Sequence, residues 1–135
     1  MVRAEEYLKA QMIEQAWKYA QHFGGVDSMI GVLHVIKNRQ SAGWGSYAHI
    51  LDTMEKWEAA PAPTTTHPEQ WERRFVSLLG IIDSICDGTH NPDVSNGGLY
   101  FGDTTNITNP WFSERVALNP EKTRCGGSAS WTYWK

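Results

Sequence analysis

The sequence contains only two cysteines, Cys86 and Cys125, in 135 residues. Two cysteines cannot build a disulfide framework, and they do not have the spacing of a zinc site. We expect Cys86 to be a buried thiol in an apolar helix and Cys125 to be a loop thiol, with a bond between them as the alternative. His67 and His90 stand in loop-like segments with no second ligand at metal spacing, so we expect neither metal nor cofactor.

Long apolar runs and a strong excess of charge are also missing. No apolar stretch approaches the roughly 18 residues of a membrane span, and the formal net charge is −3. A membrane and a nucleic acid are therefore not expected partners. The first eleven residues carry Glu5 and Glu6 and lack the apolar core of a secretion signal, so no signal peptide is expected.

Helical periodicity fills the first two thirds of the chain, whose length fits a single domain over residues 1–135. Four helices are predicted, over about 4–22, 29–40, 47–57 and 68–86. The second is apolar almost all round, which is typical of a core helix. Asp27 or Ser28 is expected to cap it, and Ser46 to cap the third helix, while Pro68 fits the first turn of the fourth.

Turn residues dominate after Gly88, and two short strands are predicted there, Leu99–Phe101 and an aromatic stretch over 128–134. Helices followed by a small β region predict an α+β fold. Seven tryptophans are many for this length. Trp44 and Trp111 lie in glycine-rich or proline-containing segments, where aromatic side chains line sugar-binding grooves or interfaces, or simply pack under loops.

Four segments resemble, in their order and spacing, the cell-wall hydrolases of the SleB spore-cortex type and their bacteriophage relatives. They are Tyr19–Gly24 with the following glycine, Val32–Arg39 ending in Asn-Arg, Gly97–Phe101, and Trp131–Trp134. A Pro-Trp-Phe segment at 110–112 is also similar to phage members. The resemblance covers residues 10–134 and implies a protein that cuts the glycan strand of peptidoglycan, by hydrolysis or by lytic transglycosylation.

Gln21 stands where the family carries its glutamate acid/base. Cleavage of a glycosidic bond requires a proton for the leaving oxygen, and an amide cannot supply one near neutral pH. Three explanations compete: another carboxylate (Glu14, Asp27 or Asp103) acts; the chain is an inactive relative that binds glycan or forms part of a virion; or the alignment is shifted by one residue near the Gly-Gly turn.

Four residues are candidates to bind substrate. His22 is a candidate to orient a sugar hydroxyl, although a helix-end histidine is the simpler reading. Tyr100 and Trp111 are candidates to stack on sugar rings, and Arg39 to bind a peptide-stem carboxylate or to form an ion pair with Glu14 or Asp83. The expected partners are peptidoglycan and other phage structural proteins, and the expected location is the virion, or the host cytoplasm before release to the cell wall.

Overall fold

The computed structural model describes residues 5–20, 26–57, 68–90, 92–103, 124–127 and 131–135. Five helices and three strands lie in these ranges, in the order α1 Glu6–Ala20, α2 Val26–Ser41, α3 Tyr47–Trp57, α4 Pro68–Leu79, α5 Ile82–Cys86, β1 Tyr100–Asp103, β2 Arg124–Gly127 and β3 Trp131–Trp134. The predicted α+β class is confirmed. None of the helices in the described ranges is both long and apolar enough to cross a membrane.

Helix α2 is the core helix, as its composition predicts. Met29, Val32, Leu33 and Ile36 are fully buried, and α1, α3, α5 and β1 all pack on it. The expected cap is wrong, because α2 begins at Val26 and places the two candidate capping residues inside its first turn.

Two of the other helix starts are confirmed. The Ser46 hydroxyl accepts a hydrogen bond from the backbone N–H of His49 at 3.2 Å, which caps α3. Pro68 is the first residue of α4. The N–H groups of a first turn form no hydrogen bond within the helix, so proline, which lacks this N–H, is tolerated there.

The prediction of one continuous fourth helix over 68–86 is wrong. This part of the chain forms two helices, α4 and α5, which are separated at Gly80 and Ile81. The N–H of Ile81 turns back to the carbonyl of Leu78 at 3.1 Å, which tightens the chain there. The apolar spacing continues across the turn, so periodicity alone could not locate it.

The strands form one antiparallel sheet in the order β1-β3-β2. Phe101 of β1 is opposite Tyr133 of β3, and the N–H of Leu99 adds a hydrogen bond to the carbonyl of Trp134 at 2.8 Å. Strand β2 was not predicted, because its sequence, Arg-Cys-Gly-Gly, has little strand propensity. Cys86 and Cys125 are both free thiols. Cys86 is buried at the end of α5, as expected, but the expectation of a loop thiol at Cys125 is wrong, because this residue lies in β2.

Candidate functional site

Arg39, at the end of α2, lies beneath the start of β1. Its Nε donates a hydrogen bond of 2.7 Å to the carbonyl of Leu99, which is sixty residues away in sequence. The guanidinium carbon lies 4.8 Å from the ring centroid of Trp44 and 5.8 Å from that of Tyr100. With only 2% of its surface exposed, Arg39 occupies a position that favours a structural role over contact with a soluble carboxylate.

The ion pairs expected for Arg39 are formed by other residues. Glu14 lies 3.8 Å from Lys18, one helical turn along α1, and Asp83 lies 2.8 Å from Lys9. Arg39 instead donates to a carbonyl and lies over the rings of Trp44, Tyr100 and Phe101. The expectation that it contacts Glu14 or Asp83 is therefore corrected, because α1 itself supplies the lysine for each of these carboxylates.

Asn38, the neighbour of Arg39, holds the loop that leads into β1. Its side-chain amide nitrogen lies 3.1 Å from Asp93 Oδ2 and 3.1 Å from the carbonyl of Gly98. Asp93 also accepts hydrogen bonds from Ser95 and from the backbone N–H of Gly97. Burial alone would raise the pKa of Asp93, but these hydrogen bonds from Ser95, Asn38 and Gly97 together outweigh it, and the pKa is lowered.

The C-terminal end of α1 packs against β1. The ring of Tyr19 meets that of Phe101 edge-on, with centroids 5.3 Å apart. The Tyr19 hydroxyl donates a hydrogen bond of 3.2 Å to the carbonyl of Met54 in α3. Gln21 and His22 follow in sequence, and both lie outside the described residues.

Tyr100 forms an aromatic pair at this junction. Phe101, its neighbour, is buried, whereas Tyr100 is half-buried and meets Trp44 edge-on at 5.5 Å between centroids. Tyr100 and Trp44 therefore present a partly open aromatic surface that Arg39 supports from the core side. Trp111, the other predicted stacking residue, lies outside the described residues.

The alternative carboxylates lie on three different elements. Glu14 is exposed on α1 and lines a groove between α1 and α3 with a volume of about 320 Å³. Asp27 is exposed in the first turn of α2. Asp103 is the last residue of β1, opposite Trp131 in the register. Of the three, Glu14 is the one that lines this groove, and Asp52 of α3 lines it as well.

Sequence reasoning missed a histidine pair. His34 Nε2 and His90 Nδ1 lie 2.9 Å apart, although 56 residues separate them in sequence, and His34 Nδ1 lies 3.5 Å from Asp93 Oδ1. His34 is buried, as expected for a core histidine with hydrogen-bond partners. His90, expected to stand alone, is its partner. A polar ring on an otherwise apolar helix was the one signal that a partner must exist.

The environment of His34 favours its neutral form. Burial lowers its pKa, the nearby Asp93 opposes this effect, and His90 and Lys37 add to it. Contacts of His34 with Asp93 and His90 therefore join α2 to the residues that follow α5. In the part of the chain that the structure describes, no group of three or more His, Cys, Asp or Glu side chains is placed to hold a metal ion.

Comparisons with protein-family models, with curated proteins and with solved structures find no match for this chain.

Proposed function

We propose that the protein is directed at the glycan strand of peptidoglycan and binds it where the end of α1 meets β1. The observation that carries this proposal is the contact of Tyr19 with Phe101. It joins two segments that, in sequence, resemble motifs of the cell-wall hydrolases. Arg39, from a third such segment, is bonded to Leu99 in the same place, and a fourth, β3, pairs with β1. Segments that are distant in sequence thus lie together, as one site requires.

The chemistry of this face suits a sugar. Tyr100 and Trp44 are both half-buried and offer aromatic surface, which stacks on the apolar face of a sugar ring. Both rings are held by Arg39, which is itself buried and fixed by the Leu99 carbonyl. A surface built on fixed side chains loses little conformational freedom on binding, and this favours affinity.

The proposed function is binding of the glycan strand, and little cleavage of it is expected. An acid that protonates the leaving oxygen is needed to break the glycosidic bond, and the amide of Gln21 cannot replace it. The protein is then either an enzyme that uses another carboxylate, with Glu14, Asp27 and Asp103 as the candidates, or a descendant of such enzymes that has kept the glycan-binding face.

Co-sedimentation with purified peptidoglycan tests the proposal. The wild-type chain is expected to pellet with the polymer, and Tyr100→Ala is expected to pellet less while keeping its circular-dichroism spectrum. Val76→Ala, a change at an exposed position of α4, is the matched control and should behave as wild type. A wild-type chain that stays in the supernatant at every polymer concentration contradicts the proposal.

A second candidate function is that of a non-catalytic component of a phage particle. Val76 and Leu79, one turn apart on α4, are large apolar residues that remain 69% and 40% exposed. Neighbouring exposed apolar residues favour contact with another protein. Light scattering at rising concentration tests this function: association that Val76→Glu abolishes supports it, and a monomer at all concentrations argues against it.

A further inference from the structure

We infer that the groove between α1 and α3 is a saccharide-binding site that accommodates a chain of uncharged, hydroxylated sugar rings. This inference rests on the proposed function and names a second surface for the same glycan. The groove is separate from the Tyr100–Trp44 pair, and no residue of the four resembling segments lines it. It is therefore a feature of this chain that the resemblance does not imply.

The geometry is that of a ligand groove. Tyr7, Gln11, Glu14 and Lys18 recur at helical spacing on one face of α1, over about 16 Å of its axis. Leu51 and Asp52 face them from α3. The volume of about 320 Å³ lies at the lower end of the range of small-molecule sites, which is about 300–1,000 Å³.

The groove lies between rigid elements. Both helices pack on α2, and the Tyr19–Met54 hydrogen bond ties them together near the end of the groove. Side chains carried by packed helices keep their positions better than side chains on loops. The groove is thus preformed, which lowers the entropic cost of binding.

The lining chemistry selects the class of ligand. Carboxylate and amide oxygens accept hydrogen bonds from hydroxyls, while the Gln11 amide and the ammonium of Lys18, which lies 3.8 Å from Glu14, donate them. Tyr7, which is 60% exposed, offers an aromatic face to the carbon side of a ring. Two carboxylates against one lysine disfavour a phosphate-bearing or otherwise anionic ligand. A chain of hydroxylated, uncharged sugar rings matches both the hydrogen-bonding groups and the apolar floor at Leu51.

The position of the groove links it to the proposed glycan face. Lys18 is the last residue of α1 that lines the groove, and it directly precedes Tyr19, whose ring packs on β1. Successive parts of α1 therefore contribute to the two surfaces. A glycan long enough to contact both surfaces should bind more tightly than a single sugar, so affinity is expected to rise with the number of sugar units.

Titration with N-acetylglucosamine oligomers, followed by ¹⁵N–¹H NMR and calorimetry on the full chain, tests the inference. Amide shifts are expected along 7–18 and 48–52, and the tetramer is expected to bind more tightly than the dimer. Tyr7→Ala is expected to weaken binding about five- to tenfold, as the loss of one aromatic contact does. Asp52→Asn should weaken it less, because an amide oxygen still accepts a hydrogen bond. Glu72→Gln, an exposed carboxylate of α4, is the matched control and should bind as wild type.

The outcomes separate the inference from the proposed function. If oligomers bind and Tyr100→Ala weakens binding, but Tyr7→Ala and Asp52→Asn do not, the groove is not a saccharide site. The inference is then wrong, and the proposed function stands. If the peptide stem alone shifts the 7–18 and 48–52 amides, the groove binds peptide and the inference is wrong. If neither oligomers nor peptidoglycan bind the wild-type chain, both fail.

Discussion

The phenol of Tyr133 packs directly on Gly31, in the space that a β-carbon at position 31 would occupy. Gly31 lies within α2, and Tyr133 lies on β3, opposite Phe101 of β1. A glycine inside a helix costs about 1 kcal/mol relative to alanine. Here it lets the sheet approach the core helix closely, and this approach brings β1 to Arg39 and to the end of α1.

We predict that Gly31→Ala destabilises the protein, although alanine is the better helix former. The added methyl group overlaps the Tyr133 ring, which is buried and cannot swing into solvent. A net loss of about 1–3 kcal/mol in the free energy of unfolding is expected for such overpacking. Urea denaturation followed by tryptophan fluorescence measures it.

A double-mutant cycle identifies the cause of that loss. In a Tyr133→Leu background the ring is absent, so Gly31→Ala should cost much less than in the wild type. An equal cost in both backgrounds would show that the glycine serves the helix and not the contact with the sheet.

Leu33→Ala is predicted to lower the free energy of unfolding by about 2–5 kcal/mol, the usual range for a buried leucine. Leu33 is fully buried at the centre of the core helix. The same substitution at the more exposed Leu79 of α4 is the control and should cost clearly less. A loss under about 1 kcal/mol for Leu33→Ala would mean that α2 is not central to stability.

Stability is predicted to fall as the pH drops below about 6.5. The pKa of His34 is lowered from 6.5 in the folded protein, so the unfolded chain takes up this proton at a higher pH than the folded chain does. The contribution is fully present above 6.5 and is lost as the pH falls toward the folded pKa. Asp93, whose pKa is lowered from 3.8, adds a loss of the same sign below about pH 4.

Two isosteric or near-isosteric variants assign these pH effects. His34→Gln should flatten the dependence of the unfolding midpoint between about pH 7.5 and 5.5, and Asp93→Asn should flatten it below about pH 4.5. Lys37 and His90 also face His34, and both are present in each variant. A His34→Gln curve parallel to that of the wild type would exclude His34 as the titrating group.

Gln21→Glu is predicted to raise activity on peptidoglycan. The resemblance puts Gln21 at the position of the catalytic glutamate, so wild-type cleavage should be weak or absent. A hundredfold gain corresponds to about 2.7 kcal/mol of barrier, a usual contribution for a positioned general acid. A zymogram with mass analysis of the products measures the gain, and the product masses separate hydrolysis from lytic transglycosylation.

Strong wild-type activity that Gln21→Glu does not improve would contradict this prediction. Glu14→Gln then becomes the informative change, because Glu14 lines the α1–α3 groove. Asp27→Asn and Asp103→Asn test the other two candidate carboxylates, and Glu72→Gln, at an exposed position of α4, is the matched control.

Several elements could be predicted because their causes are local. The apolar composition of residues 29–36 predicts the core helix, Ser46 predicts a cap through its own hydroxyl, and Pro68 predicts a helix start through its fixed backbone angle. Strand β2 could not be predicted, since its glycines pair only because β3 lies beside them. The break between α4 and α5 could not be predicted either, because the helical spacing of apolar residues continues from one helix into the next.

The candidate site divides in the same way. The order of the four segments and the presence of Gln21, an amide where the resemblance implies a glutamate, are read from the sequence alone. The partners of Arg39, the His34–His90 pair and the groove that holds Glu14 depend on segments that come together only after folding. Sequence patterns determine which side chains must be buried, because burial follows local spacing. Only the tertiary structure decides what each buried polar group contacts, because hydrogen bonds are short and their partners lie far apart in the chain.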